Sequence, residues 1–451
     1  MGETGKDVGV RKRLSADGLF QTVRGRFAQI PDPRQASKIT FSMGDAAMAA
    51  FAMFSLKDPS LLAFDGRRQA VDPHSASGPN LQNIYGIERI PCDSQMREIL
   101  DPVSPEAIVP AFADIFRDLQ RGKALDGFCF LDGHYLLALD GTGYFSSEKV
   151  SCDCCLKTEH RDGRVTYAHH MIGAAIVHPD RREVIPLAPE PIIKQDGTTK
   201  NDCERNAVKR QLEKFRRDHP RLKVIVVEDA LASNAPHIRE LQRHDMRFLL
   251  GVKPGDHAYL FDHVCQAHET GRAETVQWTE PDGTRKSVTF INDLPLNESN
   301  ADLRVNFLHY IEVDKNGKEH EFTWVTDLEL DRRRACKLVL GGRARWRIEN
   351  ETFNTLKNQG YQFEHNFGHG YQNLSVVLAM IMMLAFCVDQ VQQICCALFN
   401  AIWQQKRSKR ALWETIRAHF DHFVFESMEH LFEVILTNRA RGMAAPPLDS
   451  S

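Results

Sequence analysis

The stretch Val224–Val227, VIVV, does most to restrict what this chain can fold into. A short, continuous, β-branched apolar run is a strand covered on both faces, as in a sheet interior flanked by helices. It ends at Glu228-Asp229, so a carboxylate stands where that strand leaves the core. The segment from Asp202 to Asp218 before it predicts a helix with a charged outer face and Asp202 as its cap. A second helix is expected over His237–His244, then a strand at Phe248–Val252. Upstream, His134–Phe145 (HYLLALDGTGYF), Ala168–Pro179 and Val184–Ile193 have the composition of strands, and the first carries Asp140 near its end. The order is strand, strand, strand, helix, strand, helix, strand: an α/β core.

That order is ribonuclease-H-like. In such a fold the first and fourth strands lie side by side at the sheet centre, which would bring Asp140 and Asp229 to one spot. A third acid is offered by Arg343–Gly370 (RARWRIENETFNTLKNQGYQFEHNFGHG), which starts as an Arg-rich helix and stops near Gly360-Tyr361. Its acids, Glu349 and Glu351, are two residues apart and point to roughly opposite sides of a helix, so only one can join the pair. Three carboxylates on rigid elements suit Mg²⁺, with Mn²⁺ as the alternative ion, and hence the in-line displacement at a phosphodiester. Arg345, Arg347 and Lys357 are the candidate contacts to DNA phosphate, where the guanidinium fork fits the geometry.

Around this core the pattern changes. Residues 1–120 are expected to be helical and to form a DNA-binding region, with a nearly all-apolar helix from Ser42 to Leu56 and helix starts at Asp93 and Ser104. The polar stretch around His74–Asn83 is expected to be a loop. Between Lys253 and Leu330, extended segments at Val276–Thr279, Ser287–Ile291, Leu303–Val313 and Glu321–Leu328 predict a β-rich insertion. Asn373 onward is helical, ending in a loose AAPPLDSS tail. The apolar run Leu374 to Cys387 is shorter than the ~20 residues of a membrane span and is expected to be a buried helix, with no membrane partner.

The net charge of −3 does not exclude a polyanionic partner, because basic residues are gathered between Arg332 and Arg347 and again at Lys406–Arg410. Eleven cysteines and an N-terminus, MGETGKDVGVRKR, without an apolar core fit a cytoplasmic, reducing location. Cys152, Cys154 and Cys155 precede His160, His169 and His170, but C-x-C-C is not a standard finger spacing, so a structural zinc at Cys152/Cys154/Cys155 is not expected. His365 and His369 are expected to pack as structural histidines beside the site. No phosphate-binding Gly loop, HExxH or GxSxG occurs, which removes support for nucleotide hydrolases, zincins and serine hydrolases.

Taken together, ALDGTGYF, VIVVEDALASNAPHIREL and RWRIENETFNTLK resemble the two Asp strands and the Glu helix of the DDE transposases of bacterial insertion sequences. The resemblance implies a ribonuclease-H-like, retroviral integrase-type mixed-sheet core over 125–253 and 331–372, an insertion over 254–330, and helical flanks over 1–120 and 373–451. It implies Asp140, Asp229 and Glu349 as catalytic metal ligands, with Glu349 preferred to Glu351 because RWxIEN matches more of the family. It also implies binding of the element's terminal repeats, Mg-dependent cleavage, strand transfer into target DNA and action as a homo-oligomer at the bacterial nucleoid. The chain departs from the family at two places: Gly342 stands where Tyr is expected, and Leu356 where Lys is expected, with Lys357 one residue late. The alternatives are a catalytically inactive DNA-binding derivative and a nuclease of the same fold without strand transfer.

Overall fold

The computed structural model describes residues 12–69, 75–194 and 201–437. Its strands are β1 (Cys129–Leu131), β2 (His134–Ser147), β3 (Leu156–Glu159), β4 (Val165–Val177), β5 (Ile185–Pro186), β6 (Glu190–Ile192), β7 (Val224–Glu228), β8 (Arg247–Gly251), β9 (Glu274–Thr279), β10 (Arg285–Pro295), β11 (Arg304–Val313) and β12 (Glu319–Thr326). All belong to one sheet. At its centre β2 runs antiparallel to β4 and parallel to β7, and β7 runs parallel to β8. The expected third strand, Val184–Ile193, is split into β5 and β6, both paired antiparallel to β4. This is the ribonuclease-H-like arrangement of five strands, with the first and fourth adjacent.

All five residues of β7 are buried, as a strand covered on both faces requires. The helix Glu204–Asp218 buries Ala207, Leu212 and Phe215 on one stripe and turns its charges outward. Asp202 is not its side-chain cap: its carboxylate engages Asn206 and Arg210 instead. The helix Ala235–Arg243 is capped by Asn234, whose side-chain oxygen accepts the His237 N–H at 3.1 Å.

The four expected strands of the insertion are present as β9–β12, with a helix at Ala258–Glu269 ahead of them. They continue the core sheet, because β12 pairs antiparallel with β8 through Val325 opposite Leu250. The helix Arg332–Ala344 lies across this junction, tied by Arg343 to Glu312 at 2.7 Å and by Arg334 to Asp132 at 3.2 Å.

The two helical flanks pack against each other. Met43–Ser55 is buried along nearly its whole circumference and lies on Leu374–Cys395. The latter is longer than the expected apolar run: at 22 residues it is long and apolar enough to cross a membrane, yet 94% of its apolar window is buried inside the fold. Lys57 donates to Asp389 at 2.6 Å, both side chains being buried, and Tyr361 donates to the same carboxylate. Lys57 also sits over the rings of Tyr361 and Trp413.

One expectation fails here. His74 lies outside the described residues, and the rest of the stretch expected as a loop around His74–Asn83 is mostly taken up by a helix over Ser77–Tyr85. Its polar residues are internal partners: buried Asn80 donates to the Phe420 and Phe423 carbonyls and accepts the Phe425 N–H. Polarity here serves packing against the C-terminal helices, a contact that local composition does not reveal.

Candidate active site

The paired register of β2 and β7 runs from Tyr135 opposite Val224 to Ala138 opposite Val227. Two residues further on, Asp140 and Asp229 stand at the same height on adjacent strands, and the two-residue period keeps each on the side of Ala138 and Val227. Asp140 is half-buried within β2. Asp229 lies just beyond β7 and is exposed; its Oδ1 accepts the Leu231 N–H at 3.0 Å and caps the turn Ala230–Ala232.

The third acid comes from a distorted helix. After Arg332–Ala344 the chain continues through a π-helical turn at Ile348–Phe353 into a last α-turn at Asn354–Asn358. Such wide turns are rare and often mark functional sites. Ile348 and Phe353 are buried and Glu349 is left half-exposed. The turn sits close to the sheet because Gly173, the residue opposite Asp140 on β4, has no side chain. A Cβ there would come within 2.6 Å of the Phe353 ring.

Glu349 and Asp140 share one cation. Arg345 Nη1 donates to Glu349 Oε1 at 2.8 Å and lies 3.6 Å from Asp140 Oδ2. Burial pushes the Asp140 carboxyl up to about 7; Arg345 opposes this, and the Glu349 and Asp229 carboxylates reinforce it. Acidic charge therefore exceeds the cationic charge available to it. Glu351 lies in a different environment, next to Arg347 at 3.4 Å and beside half-buried Lys409.

Of the three basic residues expected at phosphate, Arg345 is the one beside the acids. Arg347 donates to the Pro179 carbonyl at 3.0 Å, and Lys357 pairs with Glu364 at 2.8 Å. The two family departures have structural counterparts. Gly342 lies under the Trp324 ring, where a Cβ would meet it at 2.5 Å, and Leu356 is fully buried. Neither position can present a phosphate contact.

Two further side chains stand beside the acids. Glu204, at the start of its helix, reaches over Gly141, its Oε1 2.5 Å from where a Cβ would stand. Trp346 is 45% exposed, with the Arg345 guanidinium 4.7 Å from its ring centre. An exposed Trp beside a carboxylate pair is the one local signal that would have pointed to it.

The ribonuclease-H-like sheet thus carries Asp140 within its first strand and Asp229 just past the end of its fourth, and the helix bearing Glu349 reaches Asp140 through Arg345. Residues 174–387 match the family model described as a transposase DDE domain. The match takes in Asp229, Glu349 and the insertion; Asp140 lies ahead of it and is placed by strand register. No curated protein matches the chain. Among solved structures, the cryo-EM synaptic complex of piggyBac transposase with hairpin DNA aligns at 9% identity and a TM-score of 0.40, covering 98% of this chain and 84% of that one. A likeness this distant does not bear on the site.

Proposed function

We propose that this protein is a transposase that cleaves DNA at the ends of its own element and joins the freed 3′ ends to target DNA, with Asp140, Asp229 and Glu349 as the metal-binding acids. The observation that carries the reading is the meeting of Asp140 and Asp229 at one height on adjacent strands, with Glu349 brought to Asp140 by the π-helical turn. The donor set suits Mg²⁺ or Mn²⁺, since it is all oxygen and partly exposed, and its acids outnumber the single arginine among them. Bound between these residues, a divalent ion supplies Lewis-acid charge at the scissile phosphate.

The chain's own groups do the rest. β2 holds Asp140, and the turn capped by Asp229 follows directly on β7, so adjacent strands set the spacing of the two carboxylates. Arg345, held between Asp140 and Glu349, is placed to turn its fork to a non-bridging phosphate oxygen when DNA arrives. Trp346, exposed beside it, offers a stacking face for a base displaced near the cut. Exposed Arg333, Lys337, Arg407 and Arg410 are candidates for contacts along the duplex, and the helical region over 1–120 for end recognition. Two DNA ends must be brought together for joining, which a homo-oligomer at the nucleoid would do.

The test is incubation of the protein with labelled DNA carrying the element's ends, in Mg²⁺, Mn²⁺ or EDTA. Metal-dependent nicking at the ends, followed by joined products with target DNA, is the expected result. Nicking without joining would reduce the reading to a nuclease. Tight end binding with no cut in either metal would overturn it in favour of a DNA-binding derivative.

A further inference from the structure

Outside the acids, the molecule holds a second convergence of ligand-type side chains. Cys152 and Cys155 lie in the loop between β2 and β3, His169 on β4, and His369 in the segment following the helix that carries Glu349. Their ligand atoms all lie within 4.8 Å of one another. Cys152 Sγ and Cys155 Sγ are 3.7 Å apart, and His169 Nε2 is 3.4 Å from each. His369 Nε2 is 3.2 Å from Cys155 Sγ. We propose that Cys152, Cys155, His169 and His369 form a closed, four-ligand structural zinc site.

The spacing fits the ion. With Zn–S about 2.3 Å and Zn–N about 2.0–2.1 Å, a regular tetrahedron has S–S edges of ~3.8 Å and S–N edges of ~3.5 Å. The observed separations lie within a few tenths of an ångström of these values. Cys155 Sγ lies against the other three ligand-type side chains, and one thiol proton cannot satisfy them all; a single central cation satisfies all four groups at once. Among the described residues, the Nδ1 atoms of His169 and His369 are buried without a hydrogen-bond partner, so each ring's polar engagement is through the Nε2 aimed at the sulfurs. The loop backbone brings the two thiols together: the Cys155 N–H donates to the Cys152 carbonyl at 3.2 Å and the Cys152 N–H to Cys155 Sγ at 3.4 Å. Cys154 stands outside the set, its thiol turned to the Asn373 side-chain oxygen.

The position gives the site its purpose. His169 pairs with Phe145 on β2, five residues along from the Asp140–Gly173 pair, so the cluster lies roughly 16 Å from the catalytic strand position at ~3.3 Å per residue. It joins the β2–β3 loop and β4 to the chain that leaves the Glu349 helix. The same junction is reinforced by the Asp153 N–H donating to the Tyr371 carbonyl at 3.0 Å. A bound ion would thus fasten the Glu-bearing segment to the Asp-bearing strand from the far end, without entering the reaction. With four protein ligands, and Cys155 and His169 fully buried, it leaves no open position for substrate.

The test is metal analysis of the full-length protein, expressed in zinc-supplemented medium and freed of loosely held ions. One zinc per chain is expected in wild type, in Cys154→Ser and in Asp140→Asn. Cys155→Ser and His369→Ala should lose most of it. Because these two variants could also fold poorly, wild-type protein grown with cobalt provides an independent readout: strong visible d–d bands and a near-ultraviolet thiolate charge-transfer band are expected of a tetrahedral Cys₂His₂ site. Zinc-free wild type, zinc retained in Cys155→Ser, or cobalt-grown protein lacking those bands would overturn the proposal. Since Asp140→Asn removes a catalytic acid and keeps the zinc, failure of the catalytic reading and failure of this one are told apart.

Discussion

Asp140 holds its proton nearly to neutrality, and this has a consequence for stability that can be measured without DNA. Its folded pKa of about 7 exceeds the roughly 4 of an unfolded aspartate, so the unfolded chain gives up the proton first as pH rises. The group therefore costs stability progressively between about pH 4 and 7, and the cost is complete above that window. Asp140→Asn should raise the melting temperature at pH 8, without added divalent metal, and leave it nearly unchanged at pH 4. An equal shift at both values would show that burial and carboxylate crowding do not govern this residue. The placement of Asp229 was legible in the sequence because it follows the end of a recognisable strand; Asp140 was legible as part of one, but it lies at the middle of β2 and not near its end, since the strand runs on to Ser147. The fork between Glu349 and Glu351 was not legible, since two acids in one helix are chemically alike until a neighbour distinguishes them. Arg345 and Asp140 face the first, while Arg347 and Lys409 face the second. The Cys/His cluster was half legible: Cys152, Cys155 and His169 stood out in the sequence but were set aside on spacing. Cys152 and Cys155 have the C-x₂-C spacing of a knuckle, but the intervening Cys154 obscured it, and His369 lies far along the chain.

Among elements, the π-helical turn and the strand beneath it act as one unit. Phe353 rests where a side chain on Gly173 would be, so the height of Glu349 above Asp140 is set by the absence of a Cβ. Gly173→Val should lift the turn, with an overpacking cost of about 1–3 kcal/mol and a larger proportional loss of cleavage than of stability. Melting temperature and cleavage rate measured on the same preparation check this; unchanged cleavage would show that the turn tolerates displacement. Sequence periodicity found this helix and its stop near Gly360 but not the π-turn, because a single wide turn leaves no apolar signature of its own. The insertion's strands were legible from their turn residues. Their continuation of the core sheet was not, because strand pairing between β8 and β12 is a non-local choice.

For the molecule as a whole, the N-terminal and C-terminal flanking helices pack into one body beside the sheet. Its centre is Lys57, which looks like an ordinary helix-end lysine in the sequence but is buried against Asp389, Tyr361 and Trp413. Tyr361 follows closely on the Glu349 helix, so the N-terminal helices, the C-terminal helices and the Glu349 helix meet at one carboxylate. Lys57→Met, leaving buried Asp389 without its lysine, should cost about 3–5 kcal/mol. Adding Asp389→Leu should cost much less than a second such loss, since contacting partners are not additive. A fully additive double variant would show that the two side chains do not act as a pair. The central claim concerns the acids, and cleavage of a labelled element end in Mn²⁺ by matched variants tests it most directly. Asp140→Asn, Asp229→Asn and Glu349→Gln should each lose at least about 100-fold, more than a supporting residue would cost, while Glu351→Gln cleaves within a few-fold of wild type. Cleavage surviving in Glu349→Gln and lost in Glu351→Gln would contradict the site described here.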